Sequence, residues 1–480
     1  MSTVKRSLIL TFGTQYAELI IQFVGVMILA RLMRPEEIGV YSVAAFLMAI
    51  LHVFRDFGVA KYIIQEDDLS EDKIKSAFGV AIIMAWVIAL ILLSSSSLIA
   101  NFYEKPEIKK ILMVMSASFA ITPLGSLLTA IFRRELQFQK IMLVRIGSAV
   151  CHTSVAVTLA IYGFGAISLA WANFAGILAF GLIASCLRSK HTPLVPHFDN
   201  IKQILSFGSI SSIGTVAGVA GNNAPDVIIG KIINLAAAGY FSRANGLIQV
   251  FKTLVTGAIL PLVLPYFAQL RRENGDVIKP YHLAIENLTV FAWPFFAVLA
   301  LLALPIVRTV YGMQWDFSVP VVQVLCLAGA ISMLATFAGE VMIAYGHVRQ
   351  VTLSQLIIQP FRIAAILLAS PYGLVVVGFA ITLAECVNVI ICSYQLNKTN
   401  GVTLHGVLRA TWKSVLVTMM SAAGPLVVVL SWQHRQHEAI ELTLGGLAAL
   451  AGWLIGVIVT HHPMRAHLKQ AKDWLKKLRE

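Results

Sequence analysis

Charge is scarce in this chain. Asp, Glu, Lys and Arg supply 13% of its 480 residues, apolar types supply 58%, and the mean hydropathy is +0.79. A water-soluble domain cannot cover its surface with so few charges, so the composition excludes one and indicates an integral membrane protein. Cysteine is scarce as well. Cys151, Cys186, Cys326, Cys386 and Cys392 all fall inside apolar runs, without CxxC or zinc-ligand spacing, which excludes a disulfide framework and leaves small core residues. His461-His462 and the pair His434 and His437 stand at loop edges without companion ligands, so no metal is expected. HExxH, GxSxG and Walker sequences are absent, as are paired carboxylates in an aqueous loop, so neither an enzyme nor a cofactor is expected.

What is present is apolar length. Fourteen runs can cross about 30 Å of hydrocarbon, from 9–30, 39–60 and 77–102 through 203–233 and 235–269 to 407–431 and 438–461. The first follows Lys5-Arg6 without a small-residue cleavage site and reads as a retained span. The fold class is therefore all-α, with about 14 transmembrane helices. With the N-terminus inside, inner connections carry about 25 Lys and Arg and outer ones about 8, which places both termini in the cytoplasm. The net charge of +13 is then a matter of topology, and no nucleic-acid partner follows from it. The tail at 463–480 sets Met464, Leu468, Ala471, Leu475 and Leu478 on one helical face. That pattern suits a helix on the anionic inner leaflet, with a plain solvated tail as the alternative.

One stretch recurs. Ile28–Leu47 is echoed 200 residues later by Ile228–Leu247, pairing Ile28 with Ile228, Arg31 with Lys231, Gly39 with Gly239, Tyr41 with Phe241, Ser42 with Ser242 and Leu47 with Leu247. Chance similarity between apolar helices would favour Leu and Ile, whereas the matches here include Gly, Ser and basic positions. The echo suggests a duplicated unit, and such repeats in membrane chains form facing lobes around a pathway. The expected divisions are residues 1–200 and 201–400 as lobes, 401–462 as two additional helices, and 463–480 as the tail.

Charges inside the spans are expensive and usually face a bundle interior or a watery cavity. Gln15, Glu18 and Gln22 share one face of the first helix, with Glu18 about 15 Å deep. A structural Glu bonded to a neighbouring helix and a coupling Glu that binds a proton both fit. Arg55 and Asp56 in the second helix either pair or lie at headgroup level. Asn222, Asn223 and Asp226 cluster in the seventh, and Arg362 and Glu385 lie near the middles of the eleventh and twelfth. Arg243 is about 12 Å deep in the eighth, between Gly239 and Gly246, where the small neighbours leave room for a headgroup or for close helix packing. Lys252 points away from Arg243 and is expected to snorkel inward. Pro123, Pro261, Pro265, Pro294 and Pro305 interrupt spans, as hinges or as static kinks.

In order and spacing, several motifs resemble the polysaccharide transporter family of oligosaccharide flippases, within the superfamily that includes multidrug exporters and lipid II flippases. They are Ile28 to Leu32 with Pro35-Glu36 and Gly39; Phe54 to Gly58 with Ile64-Gln65; Phe132 to Phe138; Asp226 to Gly230 with Gly239 to Ser242; Leu264-Pro265; and Tyr311-Gly312 with Trp315 and Pro320. The resemblance implies two six-helix lobes plus two C-terminal helices. It implies flipping of an undecaprenyl-pyrophosphate-linked oligosaccharide across the bacterial cytoplasmic membrane by alternating access, for surface polysaccharide synthesis alongside polymerase machinery. Arg55, Arg243 and Arg362 would meet the anionic headgroup and Asn222 and Asn223 the sugar. Glu18, Asp56, Asp226 and Glu385 would serve coupling to a proton or sodium ion, or gating. The rival readings are a multidrug exporter, which calls for an acidic cavity, a lipid II flippase, and a polysaccharide polymerase or ligase, which calls for a large outer loop.

Overall fold

The computed structural model describes residues 3–55, 59–66, 69–189, 195–198, 201–432 and 438–465, and every regular element among them is helical. In chain order these are α1 (Thr3–Leu32), α2 (Pro35–Arg55), α3 (Val59–Gln65), α4 (Glu71–Tyr103), α5 (Pro106–Arg134), α6 (Phe138–Ile161), α7 (Ile167–Cys186), α8 (Ile201–Ile232) and α9 (Leu235–Phe251). A π turn (Lys252–Thr256) leads into α10 (Gly257–Arg272), α11 (Ile278–Leu301), α12 (Ala303–Val310), α13 (Val319–Ser332), α14 (Ala338–Ala344), α15 (Val348–Ala369), α16 (Leu374–Asn400), α17 (Leu404–Ala410), α18 (Trp412–Trp432) and α19 (Glu438–Val459). Helices keep every backbone donor satisfied within the segment, which is what a bilayer demands.

Eleven described helices are long and apolar enough to span, or twelve when the bent pair Leu235–Val255 and Ile259–Arg272 is one span. The expectation of fourteen also includes α2 and α8, of 21 and 32 residues. Both are long enough to span; α2 opens on Glu36-Glu37 and α8 carries Asn222, Asn223 and Asp226. The run expected at 281–311 is broken at Leu302 between α11 and α12. The 46° bend beyond α9 falls at the π turn, just ahead of Pro261 and Pro265, two recognised causes of a kink.

The chain forms two compact units, Met1–Ser242 and Arg243–Glu480. In the first, α4 packs on α5, α5 on α7, α6 on α7 and α1, and α2 on α8. Ile111, Leu112, Met115 and Phe119 of α5 are buried against Val40, Ala44 and Met48 of α2. Trp86, Leu90 and Leu98 of α4 are exposed, as lipid-facing residues should be. Ser70 caps α4 by accepting from Lys73 N. Arg134, in the Phe132–Phe138 motif, donates to the carbonyls of Ile63 and Glu66 and closes the end of α3.

The echoed segments touch each other inside this first unit. A Cβ on Gly39 would stand 1.7 Å from Leu235 O, and one on Gly239 would stand 1.9 Å from Pro35 O. Each glycine thus faces the carbonyl four residues ahead of the other. All four positions correspond across the 200-residue offset, Gly39 with Gly239 and Pro35 with Leu235, so the crossing of α2 and α9 has local two-fold character. Only glycine permits so close a backbone approach. Beside the crossing, Lys231 donates to Phe102 O and lies 4.6 Å over the Phe102 ring, and Tyr103 Oη donates to Val227 O at 3.1 Å.

In the second unit α13 packs on α16 and α11, α15 on α16, and α18 and α19 on each other and on α11. Trp453 Nε1 donates to Val290 O at 2.8 Å and its ring stacks on Phe291. The segment after α19 ends on a fully buried imidazole. His462 Nδ1 accepts from Met464 N at 3.2 Å, while Nε2 lies 3.4 Å from Ser414 Oγ and 3.7 Å from Glu286 Oε1. Burial first, and Lys413 second, push this histidine down to about 4 in spite of the nearby carboxylate. The folded state therefore holds a neutral imidazole that the unfolded chain protonates below about pH 6.5. Stability is expected to be full above that pH and to fall by up to about 3 kcal/mol as pH drops toward 4. Melting of the detergent-solubilised protein at pH 7.5 and 4.5 measures this, and His462→Gln should flatten the dependence. An equal slope in that variant would assign the acid sensitivity to other groups.

Candidate functional site

The intramembrane charges fall in both units. In the first, Glu18 on α1 meets Arg145 of α6, with Oε2 3.6 Å from the guanidinium and both side chains part-exposed. Only the packing of α1 on α6 brings Arg145 beside Glu18. On α8, Asn223 Nδ2 donates back to Val219 O at 2.9 Å, and Asn222 is exposed. Asp226 Oδ1 is buried and accepts no hydrogen bond from any described residue. Pro225 beside it removes one backbone donor from the helix. A carboxylate with an unfilled acceptor in such a setting can take a proton or a small cation. The Arg55 side chain and all of Asp56 lie outside the described residues.

In the second unit, Arg243 at the middle of α9 lies over two rings, its Cζ 5.9 Å from the Tyr311 centroid and 5.7 Å from that of Trp315. Tyr311 Oη donates to Arg243 O at 3.4 Å and lies beside Gly246. Both rings are buried and meet edge to face, 6.2 Å apart. Gly312 joins them with φ +103°, a conformation open to glycine. Arg308 brackets the segment by a two-pronged bond to Asp316, with a further contact to Glu438 at 3.5 Å. Arg243 Nε is buried without a hydrogen bond, and no described carboxylate pairs with Arg243.

Arg362 and Glu385 face each other at 2.6 Å and are almost wholly buried. Gln359 accepts from Arg362 at 3.3 Å and Asn388 donates to Glu385 at 3.3 Å, which extends the pair into a network between α15 and α16. Lys252 on the π turn lies within Coulombic reach of both. This places it toward the interior of the unit instead of at the headgroups. Ser414, His462 and Glu286 do not form a nucleophilic relay, because Ser and Glu both face Nε2 while Nδ1 accepts a backbone N–H. Among the described residues no group of three or more His, Cys, Asp or Glu could hold a metal ion.

The sequence profile of a family described as polysaccharide biosynthesis protein matches residues 28–320. The chain belongs to the polysaccharide biosynthesis protein family. The match begins at the first copy of the echo and ends just past Trp315, so it contains both glycines of the crossing and Arg243, Tyr311 and Trp315. The Arg362–Glu385 pair lies beyond it. Among relatives of this family, the teichuronic acid biosynthesis protein TuaB of Bacillus subtilis (strain 168) is 21% identical over 458 residues, 92% of each chain. The succinoglycan biosynthesis transport protein ExoT of Rhizobium meliloti (strain 1021) is 26% identical over 66% of this chain and 64% of its own. The lipopolysaccharide biosynthesis protein WzxC of Escherichia coli (strain K12) is 21% identical over 67% and 66%. In fold, the chain resembles the lipid II flippase MurJ in an inward closed conformation, with a TM-score of 0.75, 14% identity, and coverage of 94% of this chain and 98% of that one. An inward-facing multidrug resistance MATE transporter gives a TM-score of 0.63 at 13% identity, over 82% and 94%. This family member is thus a multi-pass membrane protein whose fold is like those of MurJ and the MATE transporter.

Proposed function

We propose that the protein flips undecaprenyl-pyrophosphate-linked oligosaccharide repeat units from the inner to the outer leaflet of the bacterial cytoplasmic membrane by alternating access. The product would feed surface polysaccharide synthesis, whether O-antigen, capsule or exopolysaccharide, with polymerase machinery acting next. In this reading both termini are cytoplasmic, and the α2–α9 crossing lies at the outer face, where Lys and Arg are few.

Arg243 carries the argument. A guanidinium inside a span, held on aromatic faces and matched by no described carboxylate, is a standing attraction for an anion. The carboxylates that do meet partners, Glu18 and Glu385, meet arginines, so the balance opposes an exporter of cations. A pyrophosphate supplies the oxygens that the guanidinium edge bonds two at a time. Arg55 and Arg362 would also meet the anionic headgroup, and Asn222 and Asn223 would bond sugar hydroxyls. Asp226, with its unfilled acceptor, and Glu18, loosely held by Arg145, would couple movement to a proton or sodium ion, with Asp56 and Glu385 in gating.

The test is transbilayer movement of a polyprenyl-pyrophosphate oligosaccharide in proteoliposomes, with and without a proton gradient. Wild type should move the lipid and Arg243→Ala should slow it at least about a hundredfold, the cost of stranding a charge-assisted contact. Movement of cationic dyes in place of the lipid would overturn the reading in favour of an exporter.

A further inference from the structure

Tyr311 and Trp315 do more than pack beside Arg243. We propose that they form a preformed aromatic cradle that positions the Arg243 guanidinium, keeps it charged without a counter-carboxylate, and turns its N–H edge to a pyrophosphate. The inference rests on the headgroup role proposed for Arg243 and names the groups that make that role specific for a diphosphate.

A buried arginine is ordinarily neutralised by a carboxylate, and the second unit provides the comparison. Arg362 has Glu385 at 2.6 Å, so its charge is paired, and its two terminal nitrogens donate to Glu385 and Gln359. Arg243 is treated differently. Its faces lie over Tyr311 and Trp315 at 5.9 and 5.7 Å, and ring quadrupoles attract a cation without occupying its in-plane donors. A carboxylate would have used those donors, and a pyrophosphate would then have had to displace it.

The cradle is also built to hold its shape. Its two rings flank Gly312, whose positive φ makes the turn, and Trp315 N donates back to Gly312 O at 3.1 Å. The Arg308–Asp316 pair closes the loop on either side of the rings, and Glu438 of α19 ties it down. Tyr311 Oη reaches Arg243 O on α9, so the ring and the helix bearing the guanidinium are pinned to each other. A side chain held in this way presents a planar fork in a fixed direction. Lysine has no plane to lay on the rings and no fork, so its charge alone should not substitute.

The experiment uses the full-length protein in nanodiscs and farnesyl diphosphate as probe, with farnesyl monophosphate as comparator, and reads dissociation constants and melting temperatures. The cradle predicts that Tyr311→Phe, which keeps the ring and loses the bond to Arg243 O, retains the preference for diphosphate over monophosphate. Tyr311→Leu and Arg243→Lys should each lose about tenfold and give up the preference for diphosphate over monophosphate. Trp315 is wholly buried and its loss could unfold the chain, so Trp315→Phe serves there and is expected to retain that preference. If Arg243→Ala abolishes binding while Tyr311→Leu or Arg243→Lys bind normally, the arginine acts as a plain charge and the cradle is refuted, with the flippase reading intact. If Arg243→Ala binds as wild type does, or wild type binds no diphosphate, the headgroup assignment itself fails and the cradle with it.

Discussion

Alanine at Gly39 or at Gly239 is expected to disable the protein. The added carbon would lie 1.7 or 1.9 Å from a backbone carbonyl oxygen, and no rotamer change relieves a clash with backbone. The helices must separate or the crossing must be lost, at a cost of at least about 3 kcal/mol, in the range reserved for core overpacking and strained backbone. Transport in proteoliposomes should drop to background, and the melting temperature in detergent should fall. Both changes force apart the same crossing, so the double variant should cost little more than either single one. Gly446→Ala is the control. Its Cβ would meet nothing within 4 Å, and alanine there should be neutral or stabilising by up to about 1 kcal/mol. Wild-type melting and transport in Gly39→Ala would show that the helices do not approach this closely.

Glu385→Ala should produce the second large effect. The Arg362 side chain is 7% exposed and that of Glu385 11%, so removing the carboxylate strands a guanidinium away from water. Breaking one partner of such a pair costs about 3–5 kcal/mol, whereas replacing both by apolar residues of similar volume is often neutral. Arg362→Met combined with Glu385→Leu should therefore recover the melting temperature that Glu385→Ala loses. Transport by the double variant then separates two roles for the pair. Wild-type rates would make it a structural clamp, and a folded but inactive protein would place these charges in the transport cycle. A double variant as unstable as the single one would contradict the pairing itself.

How much of this was legible in the sequence depended on how local the signal was. Apolar runs gave most spans, because a helix that crosses lipid needs about 20 apolar residues in a row. The π turn at Lys252–Thr256 and the break at Leu302 left no comparable trace, since both are backbone adjustments inside apolar stretches. Arg243 was visible by its depth and its glycine neighbours. Tyr311-Gly312 and Trp315 were visible as a motif, yet nothing local connects residues 68 apart, so their joint role appeared only in the fold. Arg362 and Glu385 were read as serving separate ends, although they flank a short connection. Their depths, counted from the helix ends at Ala369 and Leu374, differ by about 6 Å, a gap an arginine side chain spans. That pairing could have been drawn from the sequence. The meeting of Glu18 with Arg145 could not, because it depends on α1 packing on α6.

The crossing at Gly39 and Gly239 carries a consequence for ancestry and assembly. A contact in which each partner offers the equivalent positions to the other is isologous, the kind that joins two identical subunits. If the echo descends from duplication, a half-length forebear bore a single copy and met a second molecule of itself through the glycine at position 39. Joining the two genes end to end then made that dimer one polypeptide, and released each copy to diverge around the contact. Arg31 against Lys231 and Tyr41 against Phe241 are divergences of that sort, and the glycine is the position that neither copy was free to change.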